Sequence, residues 1–212
     1  MIVLALDTCL EACSGAIVDD GRTVAERMEM MARGHQERLA PLVKGLFAEA
    51  DLRFTAIELI AVTVGPGSFT GLRVGLAFAK GLALALGRPC TAVGSLEALA
   101  ASAEGGGLCV PVIDAGRGAV FFQVFDAGRA RTQPANLPRE LAAQVIAALT
   151  IGDGPKLTGP GGAVLAELLP GSVSAPLDAP LPQAIARLAA SRPLRAPHPL
   201  YLRAPDARPK AR

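Results

Sequence analysis

Residues 2–22 can be laid over residues 109–129 without a gap, and this internal repeat constrains the fold more than any other feature of the chain. Val3/Val110, Asp7/Asp114, Ala12/Ala119, Asp19/Asp126, Gly21/Gly128 and Arg22/Arg129 are identical; Leu6/Ile113, Ile17/Val124 and Val18/Phe125 are apolar in both copies. The identities fall where a hairpin needs them: the acid ending its first strand, and the acid, glycine and arginine of its turn. A second echo, a strand-like segment followed by Gly-Pro-Gly and a helix, stands at 65–67 and again at 159–161. Its offset is smaller, so the second copy is the shorter. The repeat predicts an α/β chain of two lobes, each from a β-β-β-α-β-α unit, with the second reduced. The expected divisions are a lobe over 1–104, a smaller lobe over 105–190 and a basic, proline-rich tail over 191–212. Gly105-Gly106-Gly107 reads as the hinge. In such a pair Asp7 and Asp114 are expected to face each other across a cleft.

Within this frame, apolar runs and turn residues place strands at 2–6, 12–18, 22–30, 57–64, 90–93, 108–114 and 119–126. Helical periodicity places helices at 34–51, 71–86, 95–103, 138–149, 162–169 and 183–190. Pro41 is expected to kink the first helix or to end its first turn.

Composition removes several function classes. With 212 residues, 51% hydrophobic, and a mean hydropathy of +0.39, the chain can build a sizeable core. The start MIVLALD lacks a basic segment and meets Asp7, so no signal peptide is expected; the apolar stretch at 74–87 contains Lys80 and reads as too short for a membrane span. A cytoplasmic location is the expectation. The four cysteines lack CxxC spacing and read as small buried apolar residues. The two histidines, His35 and His198, are far apart, so no His-ligated metal is expected. Without Trp and with one Tyr, stacking on exposed bases is poorly supplied. Residues 187–212 hold seven basic residues against Asp206 alone, leaving a mildly acidic body. The tail is read either as a contact to a nucleic-acid backbone or as a solubilising end.

Three local features carry candidate chemistry. Gly65-Pro66-Gly67-Ser68 is a strand-to-helix turn that either receives a phosphate at a helix N-terminus or is simply tight; it matches neither a dinucleotide fingerprint nor a Walker loop. Asp7-Thr8 at a strand end either holds a magnesium-bound water beside a phosphate or is satisfied by backbone N–H groups, and Asp114 shares that ambiguity. The helix at 71–86 is apolar nearly all round, with small residues at 71, 75, 79, 83 and 87 and only Arg73 and Lys80 polar. Such a helix must be covered nearly all round, by its own lobe or by a protein partner with Arg73 and Lys80 near the rim. His35, at a helix start, reads as a first-turn polar contact.

ALDTCLEACSGAIV at 5–18, RGHQERLAPLV at 33–43, VGPGSFTGLRVGLAFAKGLA at 64–83, GDG at 152–154 and YLR at 201–203 together resemble the TsaB (YeaZ) family. That resemblance implies the two-lobed fold of actin, heat-shock chaperones and sugar kinases. It implies a non-catalytic accessory subunit for threonylcarbamoyladenosine formation in tRNA, which docks on the catalytic TsaD with the ATPase TsaE joining. The metal-holding HxxxH pair of TsaD has no counterpart here. By the resemblance, the partner interface involves His35, Leu39, Leu42, Leu46, Arg73, Leu76, Ala77 and Lys80. The same surface is expected to pair two copies when TsaD is absent. Asp7, Thr8, Gly65, Gly67, Ser68 and Asp114 would form a vestigial nucleotide site, with no cofactor held by this chain alone and ATP or ADP left to the shared interface. tRNA would be reached only through the complex. Tyr201-Leu202-Arg203 is expected to pack back on the first lobe. Cys9 stands where the family usually has Ser, and the segment DAGRGAVF departs from its second-lobe pattern. The competing reading is an active nucleotide-dependent small-molecule kinase of the same fold; a metallopeptidase is poorly served by two distant histidines.

Overall fold

The computed structural model describes residues 1–103, 105–150 and 154–203. Strands β1 (Ile2–Asp7), β2 (Ala12–Asp19) and β3 (Arg22–Met30) form an antiparallel meander, and β4 (Leu59–Thr63) and β5 (Cys90–Val93) add in parallel, in the order β3-β2-β1-β4-β5. In the second lobe, β6 (Leu108–Gly116), β7 (Ala119–Phe122), β10 (Ala135–Pro138), β11 (Lys156–Thr158) and β12 (Val173–Ala175) run β10-β7-β6-β11-β12. Strand for strand this is the first order again. The repeat extends to backbone conformation. Asp20 and Gly21 have φ of 45° and 83°, and Ala127 and Gly128, their counterparts in the alignment, have 46° and 77°. Two successive left-handed residues are what a two-residue hairpin turn of the primed type requires.

The second copy departs from the first in a definable way. The expected strand 119–126 breaks after Phe122, because Val124 donates its N–H to Thr132 Oγ1 at 3.0 Å and the Gln123 amide reaches Thr132 O at 2.8 Å. The chain then makes a short hairpin, β8 (Phe125–Asp126) and β9 (Arg129–Ala130), and the place of β3 is taken by β10. β10 and β12 were not expected: each has three or four residues, too few for a hydrophobic period to register. β4 begins later than expected, after a 3₁₀ turn over Phe54–Ala56.

Helices α1 (His35–Glu49) and α2 (Phe69–Leu86) cover one face of the first sheet, where Leu4, Leu6, Ile17, Ile60 and Val62 meet Leu39, Leu42, Leu46, Leu72 and Leu76. Pro41 lies in the second turn of α1, past the first-turn end expected for it, and the helix continues to Glu49. Alternate residues of β1, β2 and β4 (Val3, Ala5, Ala16, Val18, Leu59 and Ala61) point to the opposite face, as the two-residue period demands. They are covered by Ile185, Ala186 and Ala189 of α6 (Pro182–Ala190). Sequence order puts α6 at the end of the second lobe; its packing puts it on the first. In exchange α3 (Ser95–Ser102) sends Leu96 and Leu99 into a cluster with Ile113 and Phe121 of the second lobe. The second lobe closes its other face with α4 (Arg139–Leu149) and α5 (Gly162–Ala166), around Val110, Phe122, Ile146 and Leu165. α5 stops before the expected residue 169.

The seat of α2 is unusually close. Ser68 caps the helix by accepting from Gly71 N at 3.2 Å, so α2 starts two residues before residue 71. A Cβ on Gly71 would stand 2.0 Å from Thr8 O, one on Gly75 2.5 Å from Thr8 Oγ1, and one on Gly67 2.2 Å from Cys9 O. The small residues at 71, 75, 79 and 83 are buried and face the protein's own first lobe. Gly71→Ala is therefore expected to lower stability by about 2–3 kcal/mol, the range of overpacking at a rigid backbone contact. Gly81→Ala, on the same helix but opening onto free space, is expected to raise it by about 0.5–1 kcal/mol through helix propensity. Denaturant unfolding of both variants checks the contrast.

Candidate functional site

The β1–β2 turn is closed under α2. Asp7 is fully buried; its Oδ1 accepts from Thr63 Oγ1 and, at 3.1 Å, from Cys9 N, while its Oδ2 is buried with no hydrogen-bond partner. Burial raises its pKa above the ordinary 3.8, against the opposing hydrogen bonds from Thr63 and Cys9 and the pull of His35. Thr8 spends its hydroxyl on Gly71 O at 2.7 Å. The Cys9 thiol lies 3.5 Å from Thr63 O, and burial followed by the charge of Asp7 pushes it to about 12. Gly65, buried with φ of 96°, and Gly67 complete the enclosure. Among the described residues, no group of three or more His, Cys, Asp or Glu is placed to hold a metal ion. The turn residues do not fit a magnesium–phosphate group: the acid is beneath the surface and the hydroxyl is engaged.

Asp114 behaves differently from its counterpart. It is exposed, accepts from Gly116 N at 2.7 Å, and lines a cavity of about 800 Å³ between the lobes. Asp7 does not line that cavity, so the expected pair of facing acids is not formed. The cavity walls include Leu10, Ile113 and Phe121, with Ser68, Arg73 and Arg203 supplying polar groups. His35 also lines it; the ring is buried with Nε2 3.3 Å from Leu10 O, so its polar contact is to the β1–β2 turn rather than to the first turn of its own helix.

The outer face of α2 is the other prominent feature. Phe69 is 50% exposed and Leu84 86% exposed, and Ala77, Gly81 and Ala85 are exposed with them. Arg73 and Lys80 lie on this exposed side. Arg73 stacks its guanidinium 3.6 Å from the Phe69 ring centre and donates to the Tyr201 hydroxyl at 3.0 Å. Of the residues expected at a partner interface, Arg73, Ala77 and Lys80 are exposed. His35, Leu39, Leu42, Leu46 and Leu76 are not: each is buried, the four leucines in the first-lobe core. Phe69 and Leu84 were missed, although positions 69, 73, 77, 80 and 84 recur at helical spacing. At 18 residues α2 is longer than the apolar stretch counted from the sequence, and by length and composition alone it could cross a membrane; its inner face is bound to the first sheet instead. Of the GDG run, Gly152 and Asp153 lie outside the described residues, as do Asp206, Arg208, Lys210 and Arg212 of the tail.

Comparison with known proteins decides the lineage. Residues 27–158 match the family model described as TsaD, tRNA N6-adenosine threonylcarbamoyltransferase. The crystal structure of YeaZ from Pseudomonas aeruginosa superposes with a TM-score of 0.82 at 31% identity, covering 95% of this chain and 99% of that one. The chain belongs to the TsaB (YeaZ) family. Escherichia coli TsaB, named a tRNA threonylcarbamoyladenosine biosynthesis protein, is 38% identical over 125 residues, which is 58% of this chain and 54% of that protein. Bacillus subtilis TsaB is 38% identical over 122 residues, 57% of this chain and 53% of that protein. The chain thus matches about half the length of these curated relatives. Component A of (R)-2-hydroxyglutaryl-CoA dehydratase from Acidaminococcus fermentans, at TM-score 0.54 and 13% identity, shares the fold alone. That fold is the two-lobed, actin-like one that the repeat and the resemblance anticipated.

The buried acid gives this family member a pH signature. With its native pKa raised, Asp7 holds a proton that the unfolded chain releases. Its contribution to stability is then greatest below the unfolded value and falls as pH rises through the window above 3.8. Urea unfolding at about pH 4.5 and about pH 7 is expected to show a decline attributable to Asp7 in the native protein and a smaller one in Asp7→Asn.

Proposed function

We propose that this chain is a non-catalytic subunit that docks on a TsaD-type threonylcarbamoyltransferase and supports transfer of the threonylcarbamoyl group to N6 of the adenosine beside the anticodon of tRNA. The observation that carries this reading is the outer face of α2: a half-to-fully exposed apolar stripe from Phe69 to Leu84 with Arg73 and Lys80 on the same side. Apolar centres with charged rims are the pattern of protein interfaces. The match of residues 27–158 to the TsaD model favours a partner of the same fold, able to offer a helix pair of similar shape. In this reading the partner supplies the metal and the chemistry, TsaE joins the assembly, and ATP or ADP sits at the shared interface rather than in this chain's own loop. The engaged hydroxyl of Thr8 and the buried Asp7 favour that division over the kinase alternative. tRNA is held mainly by the partner, in the cytoplasm, and two copies pair through α2 when the partner is absent.

The choice of variant follows from burial. Leu76→Glu would place a charge in the core and unfold the lobe, since Leu76 is only 6% exposed. Ala77→Glu puts the charge on the outer face, one residue along, and is expected to fold normally while losing at least ten-fold in affinity for the TsaD-type subunit. Gel filtration of the mixed proteins checks it: co-elution of Ala77→Glu equal to that of the native chain would remove α2 from the interface.

A further inference from the structure

After α6 the chain returns across the first lobe. Arg192 and Arg195 pair with Glu97 of α3 at 3.1 and 3.3 Å. Ala92 N donates to Arg195 O at 2.9 Å, Arg195 N donates to Thr91 Oγ1 at 2.9 Å, and Leu200 N donates to Val64 O at 2.7 Å. This last anchor and the three residues that follow it, Leu200 to Arg203, line the cavity in succession, and they do not all face the same lobe. Leu200 packs on the first-lobe core. Tyr201 lies with its ring centre 5.5 Å from that of Phe69 and accepts from Arg73 Nε, at the N-terminal end of the exposed face of α2. Leu202 joins Leu10, Ile113 and Phe121 in the cluster between the lobes, and its carbonyl lies 3.4 Å from Asn136 Nδ2 of β10. Arg203 Nη1 donates to Ala115 O of the β6–β7 hairpin at 2.7 Å. Tyr201-Leu202-Arg203 was expected on the first lobe; Tyr201 lies against α2 there, whereas Leu202 and Arg203 reach the second.

We infer that Leu200–Arg203 is a clasp that sets how far the two lobes open and passes that setting, through Tyr201, to the docking end of α2. Only the second half of this statement rests on the docking reading. The clasp has unequal ends. On the first lobe it is tied through the backbone, by the Leu200 N–H; on the second it is held through side chains, those of Leu202, Asn136 and Arg203. The second end is the one that releases. When it does, Leu202 withdraws from Ile113 and Phe121, one wall of the cavity opens, and Tyr201 loses the chain direction that keeps its hydroxyl against Arg73. Coupling of this kind is reciprocal. A partner that covers Phe69 and Arg73 holds Tyr201 in place, and so favours the closed clasp and the closed cavity.

The chain offers a clean probe, because Tyr201 is its one tyrosine. Incorporation of 3-fluorotyrosine gives a single ¹⁹F resonance located at the clasp, and an unlabelled partner adds none. In the isolated protein that line is expected away from its position in the urea-unfolded chain, displaced by the Phe69 ring and the Arg73 guanidinium. Arg203→Ala and Leu202→Ala, which touch the other lobe, are expected to move it toward the unfolded position while the cooperative thermal transition is retained. A native line already at the unfolded position, or one that neither substitution moves, overturns the clasp. Addition of the TsaD-type subunit is expected to return the Arg203→Ala line toward the native position. If that variant co-elutes with the partner yet its line stays displaced, the link from clasp to docking face is overturned while docking itself stands. If the native chain forms no complex, the docking reading fails, and the clasp is decided by the isolated protein alone.

Discussion

Everything distinctive about this protein depends on how α2 sits on the turn between β1 and β2. Gly67, Gly71 and Gly75 bring its backbone so near Thr8 and Cys9 that no side chain fits between them. That contact has two consequences. It closes the turn over the buried Asp7 and Thr8. It also fixes the rotation of the helix, so that its small residues face inward and Phe69, Ala77, Gly81 and Leu84 face outward. The closed turn and the exposed apolar face of α2 thus follow from one contact.

The polar groups beneath the turn are enclosed with it. Asp7 keeps its place at the strand end and two of its hydrogen bonds, but one carboxylate oxygen has no partner and burial favours its protonated form. The thiol of Cys9, raised to about 12, contributes packing rather than nucleophilicity. Asp114, at the equivalent point of the second lobe, stays exposed. The duplication keeps the five-strand order and the left-handed turn, while the two acids differ in environment, and it is environment that decides what a carboxylate can do.

Much of this was legible in the residues. The duplicated hairpin could be aligned because its turns need left-handed backbone at matching positions, and Gly21 and Gly128 supply it there. Long elements with a strong period, such as β3, α1 and α2, fell within two residues of their expected bounds. The short edge strands β10 and β12 carried no pattern to read. The site residues divided along a similar line. A helix that is apolar on all sides announces that it is covered on all sides, but its period alone does not say which side meets its own sheet. Hence Leu76 was expected outside and lies within, while Phe69 and Leu84 were overlooked; Leu39, Leu42 and Leu46 of α1 were placed outside by the resemblance and also lie within. The exchange of α3 and α6 between lobes was equally hidden, since it depends on chain crossing rather than on any local signal.

The central claim is that the chain serves threonylcarbamoylation of tRNA by presenting the outer face of α2 rather than by chemistry of its own. Mass spectrometry of tRNA nucleosides from cells depleted of the protein tests it most directly, with the depleted cells complemented by the native chain, by Asp7→Ala or by Ala77→Glu. The account predicts that threonylcarbamoyladenosine falls on depletion, returns with the native chain and with whatever fraction of Asp7→Ala remains folded, and stays low with Ala77→Glu at equal protein level. Unchanged threonylcarbamoyladenosine after depletion, or full restoration by Ala77→Glu, would contradict it.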